Sequence, residues 1–249
     1  SPNNILWCVR GDGKLATLTR EIDQEVAAWT EQTPSGTSPA YENVAVIQSA
    51  TATEGDEVWF VVKRTISGTT RRYVEFLETF DWGSDDKDAF FVQSGLTYDG
   101  ASTATIIGLD HLEGQTVDVY GDGAAQAQKT VADGKITIAT AAAKVQAGLA
   151  YDSTIKTLRV EAGSAIGTSQ GQVKRINNVI VRVYKTRQLK VGPTAATVKD
   201  QALTAIKTGD VEAHQDAGWD TEGQAVIVCD DPVPCHVICI IKQLLEEDR

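Results

Sequence analysis

The chain has 249 residues, 42 % of them hydrophobic and 23 % charged, with 23 Lys plus Arg against 34 Asp plus Glu and a formal net charge of −11 at pH 7. That balance excludes a general nucleic-acid binder, which needs clustered cations to neutralise phosphates. The apolar fraction excludes a disordered chain, and no apolar run approaches the roughly 20 residues of a membrane-spanning helix.

The opening residues show no basic region followed by an apolar one, so no signal peptide is expected. The chain contains no Met and enters an apolar run at Ile5. This gives the expectation of a segment from inside a longer polypeptide, with removal of an initiator Met before Ser1 as the plainer alternative.

Short β-runs separated by tight turns dominate the first part. Residues 5–10 lead through Gly11-Asp12-Gly13 into residues 14–20, a hairpin signal because such turns need positive φ. Residues 26–31 form another apolar run, residues 34–39 a Pro/Gly/Ser loop, and residues 44–48 a further run. Residues 57–65, rich in Val, Trp and Phe, read as a strong strand that Ser67-Gly68 turns back into residues 70–77. Trp7 and Trp59 read as core anchors. Asp81, Asp85, Asp86 and Asp88 superficially resemble a calcium loop, but the EF-hand alternation, central Gly and closing Glu are missing, which favours a solvated loop.

From residue 90 to 160 turns are expected at Asp99-Gly100, Glu113-Gly114, Asp122-Gly123 and Asp133-Gly134. Strands are expected at 104–107, 116–120, 128–131, 135–138 and 157–161. This spacing suggests a small barrel or sandwich. The Ala-rich stretch 139–150 has the composition of a short helix, but Gly148 and scattered Thr weaken that reading.

Residues 175–185 alternate apolar and cationic residues on a β period, with Ile176, Ile180 and Val183 among the apolar ones. Residues 164–199 contain no Asp or Glu but seven cations: Lys174, Arg175, Arg182, Lys185, Arg187, Lys190 and Lys199. They read either as strand charges meeting acidic neighbours in the same protein or an adjacent subunit, or as a phosphate-facing patch. Residues 192–213 look irregular. Residues 224–229 and 236–242 read as a closing strand pair linked by the rigid loop Asp230-Asp231-Pro232-Val233-Pro234. A charged tail, 244–249, is expected to fray. Cys229, Cys235 and Cys239 lack the paired spacing of a zinc site and read as free core thiols, with Cys235, Val237 and Cys239 sharing a strand face.

No catalytic signature emerges. His111, His214 and His236 lack partners at workable spacing, and Asp110 with Glu113 fits a turn as well as an acid pair. Neither a metal nor a cofactor is expected. Trp82 and Trp219, beside Gly and Asp in loops, are the better candidates for partner contacts.

Several segments, in order, resemble one family. These are Ile5-Leu6-Trp7-Cys8-Val9-Arg10-Gly11-Asp12-Gly13 with the run to Arg20, Gln24 to Trp29, Asp56 to Arg64, Arg72-Tyr73-Val74-Glu75, Ser94 to Gly100, Gly108 to Val117, Thr168 to Arg175, Val181-Arg182-Val183-Tyr184, and Asp230 to Pro234. Together they resemble the nozzle, or tail tubular B-type, proteins of short-tailed bacteriophages and prophages, also called phage stabilisation proteins. The likeness is weakest over 194–215. It implies the C-terminal portion of a longer protein and an all-β fold. A propeller-like or platform antiparallel sheet, 1–90 and 164–249, would carry an inserted small β-barrel or sandwich at 91–163.

The function so implied is structural: a virion tail protein assembled in the bacterial host cytoplasm, with no membrane anchor. It would form a ring with itself, a hexamer by resemblance, contact other tail proteins, and let genomic DNA pass without specific binding. Lys174, Arg175, Arg182, Lys185, Arg187 and Lys190 would be a subunit-interface or lumen patch. The alternatives are a receptor- or glycan-binding module at the tail tip, using Trp82 and Trp219, and a tail-associated hydrolase. No enzyme is expected, since no coherent acid/base set is present.

Overall fold

The computed structural model describes residues 4–48, 55–79, 81–161, 163–164, 167–168, 171–215 and 217–246. Its regular structure is β, apart from the single 3-10 turns Asp86–Asp88, Asp110–Leu112 and Ala195–Thr197, and every strand pair among the described residues is antiparallel. The chain divides into two compact units, Ser1–Tyr151 and Asp152–Arg249. The division thus falls at 151/152 rather than at the 90/91 and 163/164 bounds expected from the sequence.

In the first unit, β1 (Ile5–Val9), β2 (Leu15–Glu21) and β3 (Val26–Gln32) form a sheet in that order. The two-residue strand period sends Trp7, Val9, Leu15 and Thr17 to one face, and the cross-strand set Leu6, Leu18 and Trp29 to the other. A second sheet follows: β4 (Ala40–Gln48), β5 (Asp56–Ile66) and β6 (Thr69–Phe76). Alternate residues of β5 are buried, Val58, Phe60, Val62, Arg64 and Ile66. Ser67 and Gly68 both take positive φ, as a two-residue hairpin turn requires. Leu15, Tyr41, Val58, Phe60 and Val62 form a shared core, with Trp7 and Val9 packed against it. Trp7 is therefore an anchor, its ring edge-on to Phe60 at 5.6 Å. Trp59 is not: it lies on the opposite face of β5, half-buried against Phe76, because its odd position is out of phase with Val58 and Phe60.

The third sheet comprises β7 (Gln93–Ile107), β8 (Thr116–Gly121), β9 (Ala124–Thr130) and β10 (Lys135–Leu149), in the order β7-β10-β8-β9. Asp122-Gly123 and Asp133-Gly134 are the expected turns, with all four residues at positive φ. Asp99-Gly100 is not a turn; it lies inside β7, where the register with β10 shifts and Asp99 meets Lys144 at 3.4 Å. The Ala-rich stretch is strand, since alternate β10 side chains fill a core with Ile106, Leu109, Leu112, Val117 and Val119. The sheet is open, with β7 and β9 as its edges. Among the described residues there is no closed barrel and no propeller; the first two sheets have three strands each, one fewer than a propeller blade.

The second unit contains β11 (Ser153–Lys156), β12 (Gly163–Ser164), β13 (Gly167–Thr168), β14 (Lys174–Thr186), β15 (Lys190–Gly192), β16 (Lys199–Asp200), β17 (Lys207–His214), β18 (Val226–Cys229) and β19 (Val237–Glu246). Two sheets, β17-β14-β19 and β11-β18-β15-β16, enclose a core of Ile176, Val179, Val181, Val183, Leu189, Val191 and Ile227. The expected strand at 157–161 is absent, and β17 runs through a segment that looked irregular. The expected closing pair is also not a pair. β18 joins β11 and β15, while β19 joins β14, because the prolines between them redirect the chain into a different sheet. Of the tail expected to fray, 244–246 continue β19 and 247–249 lie outside the described residues.

Candidate functional site

The cationic stretch lies on β14, β15 and their connection. A register shift between Ile176 and Asn178 changes the phase of β14, so Lys174 and Ile176 share the buried side with Val179, Val181 and Val183. Lys174 is fully buried, and its Nζ donates to the Val160 carbonyl at 3.0 Å. Lys242 Nζ donates to the Leu158 carbonyl (2.9 Å), Thr157 Oγ1 (3.1 Å) and the Gly223 carbonyl (3.3 Å). Burial, and secondarily the Lys174 charge, hold Lys242 below the ordinary lysine pKa. These two ammonium groups clamp the segment 157–160 onto the sheet.

The remaining cations are spread out. Arg182 grips Asp210 with two hydrogen bonds, 2.7 and 3.0 Å, which raise its own pKa and lower that of Asp210. Lys190 Nζ reaches Asp230 at 2.6 Å, and this hydrogen bond raises its pKa. Lys185 lies 5.3 Å from the centroid of the Tyr184 ring. The Arg187 main-chain N–H donates to the Pro234 carbonyl at 2.8 Å. Arg175 is half-buried, and its Nε has no hydrogen-bond partner among the described residues. Lys174 and Lys185 sit at opposite ends of β14, roughly 35 Å apart at strand rise. The six cations therefore do not converge on one spot, and several are held by groups of their own unit.

The loop 230–234 is held by Gln188, whose Oε1 accepts from the main-chain N–H groups of Asp230 (3.1 Å) and Asp231 (3.0 Å). Its Nε2 donates to Asp231 Oδ2 at 2.5 Å. Burial first, then the Asp230 charge, push Asp231 above the usual carboxylate range. Pro232, Val233 and Pro234 are buried, and the turn brings Cys235 back to Cys229. These two form a disulfide. This corrects the expectation of free core thiols: β19 begins only at Val237, so Cys235 is not on its face, and Cys239 is an exposed free thiol.

Sequence reasoning missed an open groove of about 430 Å³ on the inner face of the first sheet. Ile5, Trp7, Thr17, Thr19, Glu21, Thr30 and Gln32 line it, and the Thr17 and Thr30 hydroxyls hydrogen-bond to each other. Its signal was present in the period-two pair Thr17 and Thr19, polar residues where a core face calls for apolar ones. Of the two loop tryptophans, Trp219 is 48 % exposed and Trp82 is half-buried.

The remaining candidates have structural jobs. His111 Nε2 contacts the Ser94 carbonyl at 2.7 Å, and Tyr73 donates to the His111 carbonyl at 3.1 Å. The Glu113 carboxylate accepts from the N–H groups of Asp133 (3.1 Å) and Gly134 (2.8 Å), which fastens the β9–β10 turn. The acidic loop is docked as well as solvated: Asp88 pairs with Lys144, Tyr120 donates to the Asp86 carbonyl, and Asp85 caps the short 3-10 turn. Among the described residues no three His, Cys, Asp or Glu side chains gather to hold a metal ion, and no helix is long and apolar enough to cross a membrane. No family model matches the chain, and no curated protein matches it.

Proposed function

We propose that the chain is a structural component of a short-tailed phage tail, part of a nozzle-like conduit through which DNA is ejected. The reading grows from the ordered sequence resemblance and from the all-β architecture. The observation that carries it is the acid excess together with cations that do not converge on one spot. In a chain of net charge −11, Arg182 and Lys190 are paired with carboxylates of their own unit and Lys174 is buried. Each of those ion pairs cancels one carboxylate with one cation, so the acid excess persists; it repels phosphates, and a conduit should let DNA slide without holding it. In this reading the copies form a ring, with a hexamer as the expected size. Native mass spectrometry of the full-length protein, together with a search for it in purified virions, tests the proposal. A ring of one stoichiometry present in virions is expected; a strict monomer absent from virions contradicts it.

A second reading, a glycan- or receptor-binding module, is favoured by the groove beside Trp7, where Trp7, Thr17, Thr19 and Thr30 line one surface. Trp219, half-exposed in a loop of the second unit, is a separate candidate for such a contact. A glycan array with Thr19→Ala and Trp219→Ala variants tests it; no binding, or binding unchanged in both, rejects it.

A further inference from the structure

A peptide bond between Asp and Pro is a chemically weak link. The Asp carboxyl can attack its own main-chain carbonyl through a five-membered ring, and the proline nitrogen, part of a tertiary amide, departs readily once protonated. The sequence contains one such pair, Asp231-Pro232. The fold surrounds it with groups suited to that reaction. The Val233 main-chain N–H donates to the Asp231 carbonyl at 2.8 Å, on the oxygen where negative charge develops during the attack. Gln188 fixes the attacking residue: its Oε1 accepts from the main-chain N–H groups of Asp230 and Asp231, and its Nε2 donates to Asp231 Oδ2. When the carboxyl is neutral its proton therefore sits on Oδ1, the oxygen left to attack. Pro232 and Val233 are buried, so the bond is held in one place. Burial first, then the Asp230 charge and with less weight that of Asp200, favour the neutral carboxyl, while the Lys190 ammonium and the Gln188 donor oppose it. Cys229 and Cys235 close a disulfide around the bond.

From this arrangement we propose that the folded chain cleaves itself at the Asp231–Pro232 bond in mild acid. Asp231 Oδ1 attacks the Asp231 main-chain carbonyl carbon and passes its proton to the Pro232 nitrogen. The C–N bond breaks, which leaves a cyclic anhydride on residue 231 and a free secondary amine on residue 232. Water then opens the anhydride, so one water is consumed and no other reactant is needed. Because the disulfide spans the broken bond, residues 1–231 and 232–249 stay joined through Cys229 and Cys235. Later reduction leaves β19 attached to β14 by non-covalent contacts alone. The chain thus passes from one polypeptide to a disulfide-linked pair, and the release of its last strand comes under redox control. This activity does not depend on the tail reading.

The test incubates the oxidised 249-residue chain at about pH 4.5, where an ordinary Asp is mostly ionised, and follows intact mass with and without reductant. Tryptophan fluorescence confirms that the chain is folded, and a parallel sample is unfolded in guanidinium chloride at the same pH. Without reductant the folded sample is expected to gain the mass of one water; after reduction it is expected to separate into fragments 1–231 and 232–249. Cleavage is expected to run about tenfold faster in the folded sample than in the unfolded one, since the unfolded chain lacks the Val233 and Gln188 donors. Asp231→Asn, which removes the acid, and Pro232→Ala, which restores an ordinary amide, are both expected to stay intact. A folded chain that stays whole, or that is cut no faster than the unfolded one, overturns the proposal. So does cleavage of the Asp231→Asn variant at the same bond. The comparison of folded with unfolded wild-type chain decides the matter even where a variant fails to fold.

Discussion

Arg64 shows how much one side chain can hold. It is fully buried, donates through Nε to the Ser35 carbonyl at 2.8 Å, and forms a two-pronged ion pair with Glu75. Arg64→Ala leaves the Glu75 carboxylate and the Ser35 carbonyl without their cation, and is expected to cost about 3–5 kcal/mol in urea unfolding. Replacing both partners, Arg64→Met with Glu75→Leu, should recover most of that loss. Asp231 acts in the opposite sense. Its folded pKa lies above the ordinary Asp value, so its ionised form opposes folding: the contribution is most favourable below about pH 4 and is lost as pH rises through the raised value. Asp231→Asn keeps an acceptor for Gln188 and is therefore expected to raise the unfolding midpoint at pH 7 and to leave it unchanged below about pH 4. None of this was legible in the sequence. A lone Arg in a strand and one Asp of a pair carry no mark of what lies across from them.

At the scale of elements, turn chemistry was the readable part. Ser67-Gly68, Asp122-Gly123 and Asp133-Gly134 demand positive φ, and the chain obliges at all three. Asp99-Gly100 carries the same letters but lies within a strand, because long-range pairing of β7 with β10 outweighs a local preference. The Ala-rich strand and β17 were obscured for a similar reason: their strand character comes from partners distant in sequence. A close backbone approach in the third sheet depends on Gly148, where a Cβ would sit 2.7 Å from the Gln93 carbonyl oxygen and from Gly95 Cα. Gly148→Ala must push β7 away from β10, and is expected to cost about 1–3 kcal/mol in thermal or urea unfolding. The groove beside Trp7 was half-legible: the polar alternation of β2 was in view, but not the face to which it belonged.

For the molecule as a whole, charge and cysteine chemistry carry the argument. The acid excess was plain in the composition, whereas the internal pairing of Arg182 and Lys190 depends on β17 and on the loop after β18. The Cys229–Cys235 disulfide adds a compartment test. A protein assembled in a bacterial cytoplasm keeps its thiols reduced and oxidises them only after release. Mass spectrometry under non-reducing conditions is therefore expected to find free thiols in protein from intact cells and the disulfide in protein from released virions. Removing it with Cys229→Ala and Cys235→Ala should lower stability by about 2 kcal/mol, the loop being short. Membership of a tail conduit is tested most directly by immunogold electron microscopy of purified virions with an antibody against this chain. Label at the tail, together with peptides of the chain in the purified particles, is the predicted result. Unlabelled tails, with the chain missing from purified particles, would contradict the account.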